Sequence, residues 1–316
     1  MGDPSGIGPE VAMRACVARR RGAAADIVLV GDERVFAAAA KRIGVSRALD
    51  RTKMLRVDSI ASLAAADRRP GKPTSAGAEV AYRAILRAVD LVQSGAADAI
   101  VTAPVNKHSI QTLGHEFPGH TETIAALAGG ADVRMMLAGP TLRVVLVTTH
   151  IALRAVPEAI TVARVARTAE ITARALRRDF GVRRPRLALA GLNPHAGEEG
   201  SFGDEEIRVL RPAIELARSR GVVLDGPHPP DTVFFRARAG DFDAVISLYH
   251  DQGLAPFKLV HFHDGVNVTL GLPFPRTSPD HGTAYDIAGK GKADPSSMIA
   301  AVELAASMAR AGRHPR

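Results

Sequence analysis

At 316 residues, 46% of them hydrophobic, the chain is long enough for two packed domains of ordinary size. Aromatics are only 4% and tryptophan is absent, so the core must be built mainly from Ala, Val, Leu and Ile. A formal charge of +8 raises nucleic acid as a partner, but the basic residues are scattered arginines on helix faces (Arg19 to Arg21, Arg174 to Arg184) with almost no aromatics to stack bases, and that role is rejected.

The excess charge can instead steer anionic substrates. A single cysteine, Cys16, excludes an intramolecular disulfide and a cysteine zinc site, and within a predicted helix it reads as a small buried hydrophobe. With no signal peptide and no apolar run near the ~20 residues needed to cross a bilayer, a cytoplasmic protein with no membrane contact is expected.

The chain opens on Gly2, Gly6 and Gly8 among Pro4 and Pro9, a tight loop from which Pro9 and Glu10 start a helix through Val17. Such a loop can receive an anion, although alone it reads as a turn. A strand at Ile27 to Asp32, a helix, and a strand around Met54 to Asp58 follow. A helix from Ala76 to Ser94 stops at Gly95, and Asp98 to Ala103 is the next strand. This alternation predicts a largely parallel sheet with crossover helices.

A hairpin comes next, Val133 to Gly139 and Leu142 to His150 about a Pro140-Thr141 turn, and marks a local antiparallel shift in a second domain. Then come a helix at Val156 to Arg178, a strand leading to His195, and a helix at Glu205 to Arg218. A Pro-rich stretch, Gly226 to Phe234, precedes the strand Ala244 to Leu248, and a helix from Pro295 to Arg310 closes the chain.

Three of these strands deliver a histidine at or just past their carboxyl ends, where open α/β sheets bind ligands. His150, His195 and His250 stand 45 and 55 residues apart, so no local helical motif unites them. Converging strand ends would give three neutral imidazoles with an open position, suited to Zn²⁺ or a similar ion. Three separate hydrogen-bonded loop histidines explain the same pattern equally well.

GDPSGIGPEV from Gly2 and HGTAYDIAGKGKADP from His281 resemble segments of the isocitrate and isopropylmalate dehydrogenase superfamily. There a loop like His281 to Gly291 holds the adenosine part of NAD. With PGHTE, VTTH, NPHAGE, YHDQG and RTSPDHGTA, residues 2 to about 295 resemble the 4-hydroxythreonine-4-phosphate dehydrogenase family. The resemblance implies two α/β domains with mostly parallel sheets, isopropylmalate dehydrogenase-like. Residues 1–127 and 264–316 would form the cofactor side, and 128–263 the metal-binding and dimerisation domain. It also implies an obligate homodimer whose interdomain active site is completed across the subunit interface.

In that family's pattern His150, His195 and His250 match the metal ligands, with His250 expected from the partner subunit. His120, Thr121, Lys258, Asn267 and Arg276 match substrate-binding positions, and His281, Gly282, Thr283 and Asp286 fall in the cofactor loop. The implied reaction oxidises 4-phosphooxy-L-threonine with NAD or NADP and a divalent metal (Zn, or Mg, Mn or Co), and the β-keto acid then loses CO₂. A short apolar strand normally precedes the glycine loop in the family. Here Met1 alone does, which points to a start assigned at an internal methionine rather than to a lost strand.

The residues suit that chemistry on their own terms. Lys258 and Arg276, read in loops beside the site, supply cations for a phosphate, where the plain alternative is a surface charge. His120 can bond a phosphate or carboxylate, or simply start a helix. Asp231 can orient a histidine or take the hydroxyl proton as a catalytic base with Lys258, or be a turn aspartate. Asp3 and Asp286 are expected to organise their glycine loops. His108, His115, His228, His261, His263 and His314 read as structural or exposed.

No Rossmann fingerprint is present, so NAD or NADP preference cannot be read by its acidic residue. Alternative activities are a D-threonate or D-erythronate 4-phosphate dehydrogenase and, more remotely, a cis-dihydrodiol dehydrogenase. From another class come a metal-dependent phosphoester hydrolase and a non-catalytic metal-binding protein.

Overall fold

The computed structural model describes residues 1–18, 25–50 and 55–313, so Arg19 to Arg21, Met54 and His314 lie outside the described residues. Among these, ten strands run in chain order: β1 (Ile27–Gly31), β2 (Leu55–Ser59), β3 (Ile100–Val101), β4 (Arg134–Ala138), β5 (Arg143–Leu146), β6 (Leu187–Ala190), β7 (Leu224–His228), β8 (Ala244–Ser247), β9 (Val266–Leu270) and β10 (Arg276–Pro279).

The chain divides into two compact units, Met1–Ala131 with Leu272–Arg310, and a second whose body is Asp132–Gly271. Sequence placed the return to the first unit at residue 264. Here β9 stays with the second unit, because it pairs antiparallel with β4 along its whole length.

In the first unit β1 pairs parallel with β2, and β3 pairs parallel with β10. The helix Gly8–Val17 buries Val11 and Ala15 with Ala103, Ala288 and Met298, while Met13 and Cys16 pack with Leu29 and Phe36. Cys16 is therefore the buried hydrophobe its context suggested. The strand expected at Asp98 to Ala103 shortens to two residues, although Thr102 N–H still reaches Thr277 O at 3.1 Å. Pro104 then ends the ladder, having no N–H to give.

The second unit runs β9, β4, β5, β8, β6, β7 in space, antiparallel from β9 to β5 and parallel from β5 onward. Its side chains alternate between two cores, as the two-residue period of a strand requires. Leu187, Leu189, Ala244 and Ile246 face the helices Val162–Phe180 and Arg211–Ser219. Ala188, Ala190 and Val245 face Pro230–Arg238 and His250–Val260. Three layers result, helices covering both faces of the sheet.

Three expected elements differ in detail. The helix predicted over Val156 to Arg178 breaks at Ile160, where Thr161 Oγ1 accepts from Arg164 N–H at 3.2 Å and caps a new helix. The helix predicted from Glu205 begins with a π-helical turn, Glu206–Leu210. The Pro-rich stretch at Gly226 holds β7 and then a helix from Pro230, a first-turn position that proline favours.

The carboxyl ends of β5, β8 and β6 are tied together by side chains. Thr148 Oγ1 donates to Leu248 O at 2.6 Å. Gln252, buried at 8% exposure, accepts from Leu248 N–H at 2.7 Å and donates to Gly191 O at 2.6 Å. Gln252→Ala leaves both backbone groups without that partner, and a loss of about 2 kcal/mol in urea unfolding is expected.

Candidate active site

Because β5, β8 and β6 are parallel neighbours, their carboxyl ends share one edge of the second unit, and His150, His250 and His195 follow them. His150 and His250 come together, with ring centroids 5.6 Å apart. His250 opens the helix His250–Val260, and its Nδ1–H donates to Asp251 Oδ1 at 2.7 Å, which leaves Nε2 as the ring nitrogen with a lone pair to offer.

His250 sits beside His150 within one chain. His195 stands apart, its ring against Phe202 at 6.0 Å. Among the described residues no three His, Cys, Asp or Glu side chains gather as a metal ion needs. After β6, residues 195–199 all take positive φ and carry His195 through a left-handed turn.

Lys258 is not in a loop as expected but half-buried on the helix that begins at His250, because Pro256 is accommodated inside that helix. Asp231 is exposed in the first turn of Pro230–Arg238, and no hydrogen bond joins it to a histidine among the described residues. Asn267 lies on β9, with its Oδ1 enclosed and without a partner.

In the first unit Arg276 opens β10 with 3% exposure, and its Nη2–H donates to Thr102 Oγ1 at 2.6 Å. Nη1 lies 3.5 Å from Thr121 Oγ1. Burial pulls the guanidinium down to about 10, still a cation at neutral pH, with the Glu122 charge opposing the fall. His120 begins the helix His120–Leu127, against Phe117 at 5.7 Å, with its Nε2 enclosed and unpartnered among the described residues. Burial, helped by the Arg276 charge, pushes its imidazole down to about 3.

A neutral ring beside a buried cation, with an idle nitrogen, is a site waiting for an anion's oxygens. An enclosed polar atom without a partner costs about 1–3 kcal/mol and asks for an explanation that a ligand supplies. The depressed His120 also predicts a pH effect. The unfolded chain takes up a proton there below about pH 6.5, and the folded chain resists it until about pH 3. Its stabilising contribution is complete above the unfolded value and lost as pH falls between them. Tm should drop on acidification below pH 6.5, and His120→Asn should flatten that drop.

The residues expected to form a cofactor loop lie after β10. His281 Nε2 is enclosed without a partner, while Gly282 and Asp286 are exposed. Thr283 O accepts from Ile7 N–H at 2.9 Å, and a Cβ on Gly6 would sit 2.9 Å from that same oxygen, so the glycine permits the close approach. Asp3 organises this junction. Its Oδ1 accepts from Ser5 N–H at 2.8 Å and its Oδ2 from Tyr285 O–H at 2.5 Å. Burial with that bond raises the Tyr285 hydroxyl to about 12. Residues 2–9 are buried throughout, so the glycine loop is packing and not an open anion cradle.

Among the described residues the remaining histidines are structural or exposed: His108 and His263 are exposed. His115 stacks on Tyr82 at 4.0 Å and bonds Glu79, while His228 bonds Asp225. His261 is buried between Asp264 and Thr141 Oγ1. Sequence reasoning missed Thr102 and Gln252. Thr102 directly follows β3 and Gln252 lies in the first turn of the helix after β8, and a polar residue following a strand's carboxyl end was the signal available.

A family model described as pyridoxal phosphate biosynthetic protein PdxA matches residues 23–305. The chain belongs to the PdxA family. That match takes in His120, His150, His195, His250, Lys258, Arg276 and His281. The 4-hydroxythreonine-4-phosphate dehydrogenase of Geobacter metallireducens is 48% identical over 320 residues, 98% of this chain and 94% of its own.

Among solved structures, the 4-hydroxythreonine-4-phosphate dehydrogenase from Klebsiella pneumoniae is 41% identical with a TM-score of 0.85, over 98% of this chain and 96% of its own. A terephthalate 1,2-cis-dihydrodioldehydrogenase from Burkholderia xenovorans LB400 shares 29% identity and a TM-score of 0.69, over 97% and 96%. No described helix of this PdxA family member is long and apolar enough to cross a membrane.

Proposed function

We propose that this chain is a cytoplasmic, NAD(P)-dependent and divalent-metal-dependent 4-hydroxythreonine-4-phosphate dehydrogenase. It oxidises the 3-hydroxyl of 4-phosphooxy-L-threonine to give 2-amino-3-oxo-4-phosphooxybutanoate, which loses CO₂ and leaves 3-amino-2-oxopropyl phosphate. The observation that carries this reading is the pairing of His150 and His250 at neighbouring parallel strand ends, in a chain whose relatives bear that enzyme's name.

The residues present fit a metal. Two imidazoles, one fixed through Nδ1 by a carboxylate, are donors for a divalent first-row ion, and nitrogen donors favour Zn or Co over Mg or Mn. His195 of a second copy supplies the third nitrogen, which makes the working unit a homodimer with a shared site. Exposed apolar side chains flank the histidines concerned: Ile151 and Leu153 follow His150, and Phe202 follows His195. Apolar surface of this kind is what an interface covers.

When bound, the metal supplies Lewis acidity at the substrate hydroxyl and the nicotinamide accepts the hydride. The chain's own residues do the rest. Arg276 holds the phosphate by its planar fork, with Thr121 and the neutral His120 completing the contacts. Asn267 offers its idle Oδ1 to a substrate donor. Lys258 stands eight residues along the helix from His250, about 12 Å by helical rise, which suits a cation for the substrate's far end or a proton holder there. His281, Gly282, Thr283 and Asp286 line the cofactor side. Asp231, exposed in the first turn of its helix, is the alternative to Lys258 as the proton acceptor.

Turnover of 4-phosphooxy-L-threonine, D-threonate 4-phosphate and D-erythronate 4-phosphate, each with NAD⁺ and with NADP⁺, tests the substrate. The largest kcat/KM is expected for 4-phosphooxy-L-threonine. A larger value for either sugar-acid phosphate would replace this reading with the sister activity.

A further inference from the structure

The turn that carries His195 is strained. φ is 53° at His195, 54° at Ala196, 82° at Gly197, 41° at Glu198 and 54° at Glu199. Glycine adopts this region freely, whereas the other four crowd their Cβ against the following carbonyl. A run of that kind persists only where its surroundings over-determine it. Arg211 Nη2–H donates to Glu199 Oε1 at 2.6 Å and Asn193 Nδ2–H to Glu205 Oε2 at 2.8 Å, but the buried anchor of the turn is one carboxylate, Glu206.

Glu206 is 1% exposed. Its Oε1 accepts from Leu192 N–H at 2.7 Å and Asn193 N–H at 2.8 Å, and its Oε2 accepts from Asn193 Nδ2–H at 2.9 Å. A Cβ on Gly197 would lie 2.7 Å from Glu206 Oε2, so the middle of the turn sits directly on the carboxylate. Glu206 also begins the π-helical turn Glu206–Leu210, a distortion frequent at functional sites.

We propose that Glu206 is a positioning residue: its buried carboxylate locks the left-handed turn and so presents His195 as a metal ligand to a second subunit. This rests on the reading of His195 as a ligand.

The test is Zn²⁺ affinity of the full-length protein, by competition with a chromophoric chelator, for wild type, Glu206→Gln, His195→Ala and the double variant. Amide exchange at Leu192 and Asn193 and the visible spectrum of the Co²⁺-loaded protein are measured alongside. Glu206→Gln keeps the shape but turns an amide toward the Asn193 donors. It should weaken Zn²⁺ binding about 10–100-fold, the range for outer partners of a ligand. It should also alter the Co²⁺ spectrum and speed exchange at the two amides, and the double variant should bind no worse than His195→Ala.

Wild-type affinity in Glu206→Gln, or single losses that multiply in the double, overturns the proposal. Wild-type affinity in His195→Ala sinks the ligand reading and the proposal with it. A loss in His195→Ala without one in Glu206→Gln sinks the proposal alone. Should Glu206→Gln fail to fold, Asn193→Ala removes one of the three donors and should give a smaller loss in the same direction. No loss there overturns the proposal.

Discussion

His150→Ala and His250→Ala are each expected to strip the metal and lower kcat/KM by about 10³-fold or more. A Lewis acid at a carbonyl or alkoxide oxygen is worth several kcal/mol, and each 1.36 kcal/mol is tenfold in rate. The two variants should behave alike, because the rings lie together at the carboxyl ends of β5 and β8, held there by Thr148 and Gln252.

His195→Ala should lose metal too, but for a different geometric reason, because on the proposed reading its nitrogen serves the other subunit. Mixed dimers separate the cases. A subunit with His195→Ala retains its own His150 and His250, and a subunit with His150→Ala retains a usable His195. Their heterodimer therefore contains one complete site, and activity should reappear on mixing two inactive proteins. A mixture of His150→Ala and His250→Ala has no complete site and should stay inactive.

Arg276→Lys is expected to raise KM for the phosphorylated substrate by about 10–100-fold, from the roughly 1.5–3 kcal/mol carried by hydrogen bonds to charged groups. The charge survives this change, but the fork does not. Arg276 is fixed by Thr102 within a buried setting, and a lysine on the same strand offers one flexible point charge in its place. Remote binding energy also serves the chemical step, so kcat should fall with it. Steady-state kinetics with substrate and with a dephosphorylated analogue make the comparison. The variant should lose most of its preference for the phosphate, and a preference equal to wild type would place phosphate recognition elsewhere.

Much of this architecture was legible because it rests on local patterns. The apolar run before Tyr249 has the length and flanks of a buried strand, and the histidine after it falls where parallel sheets expose their ends. The hairpin about Pro140-Thr141 announced itself by its turn residues, and it brought His150 to the edge beside His250.

What stayed hidden depends on distant partners. A two-residue strand such as β3 exists because β10 pairs with it, and nothing near Ile100 encodes that. Lys258 looked like a loop residue because Gly253 and Pro256 flank it, yet packing of Leu254 and Phe257 into the core keeps the helix intact. The left-handed turn at His195 was invisible for a similar reason. Its partners lie well along the chain: the buried Glu206, eleven residues later, accepts from Leu192 and Asn193 N–H just before the turn, and Arg211 pairs with Glu199 within it.

The most direct test of the central claim is NADH formation at 340 nm from 4-phosphooxy-L-threonine and NAD⁺, before chelation, after it, and after Zn²⁺ is returned. The rate is expected to vanish with the chelator and come back with the metal, with one CO₂ released per NADH. A full rate in the metal-free protein would contradict it, as would substrate oxidation that His250→Ala leaves unchanged.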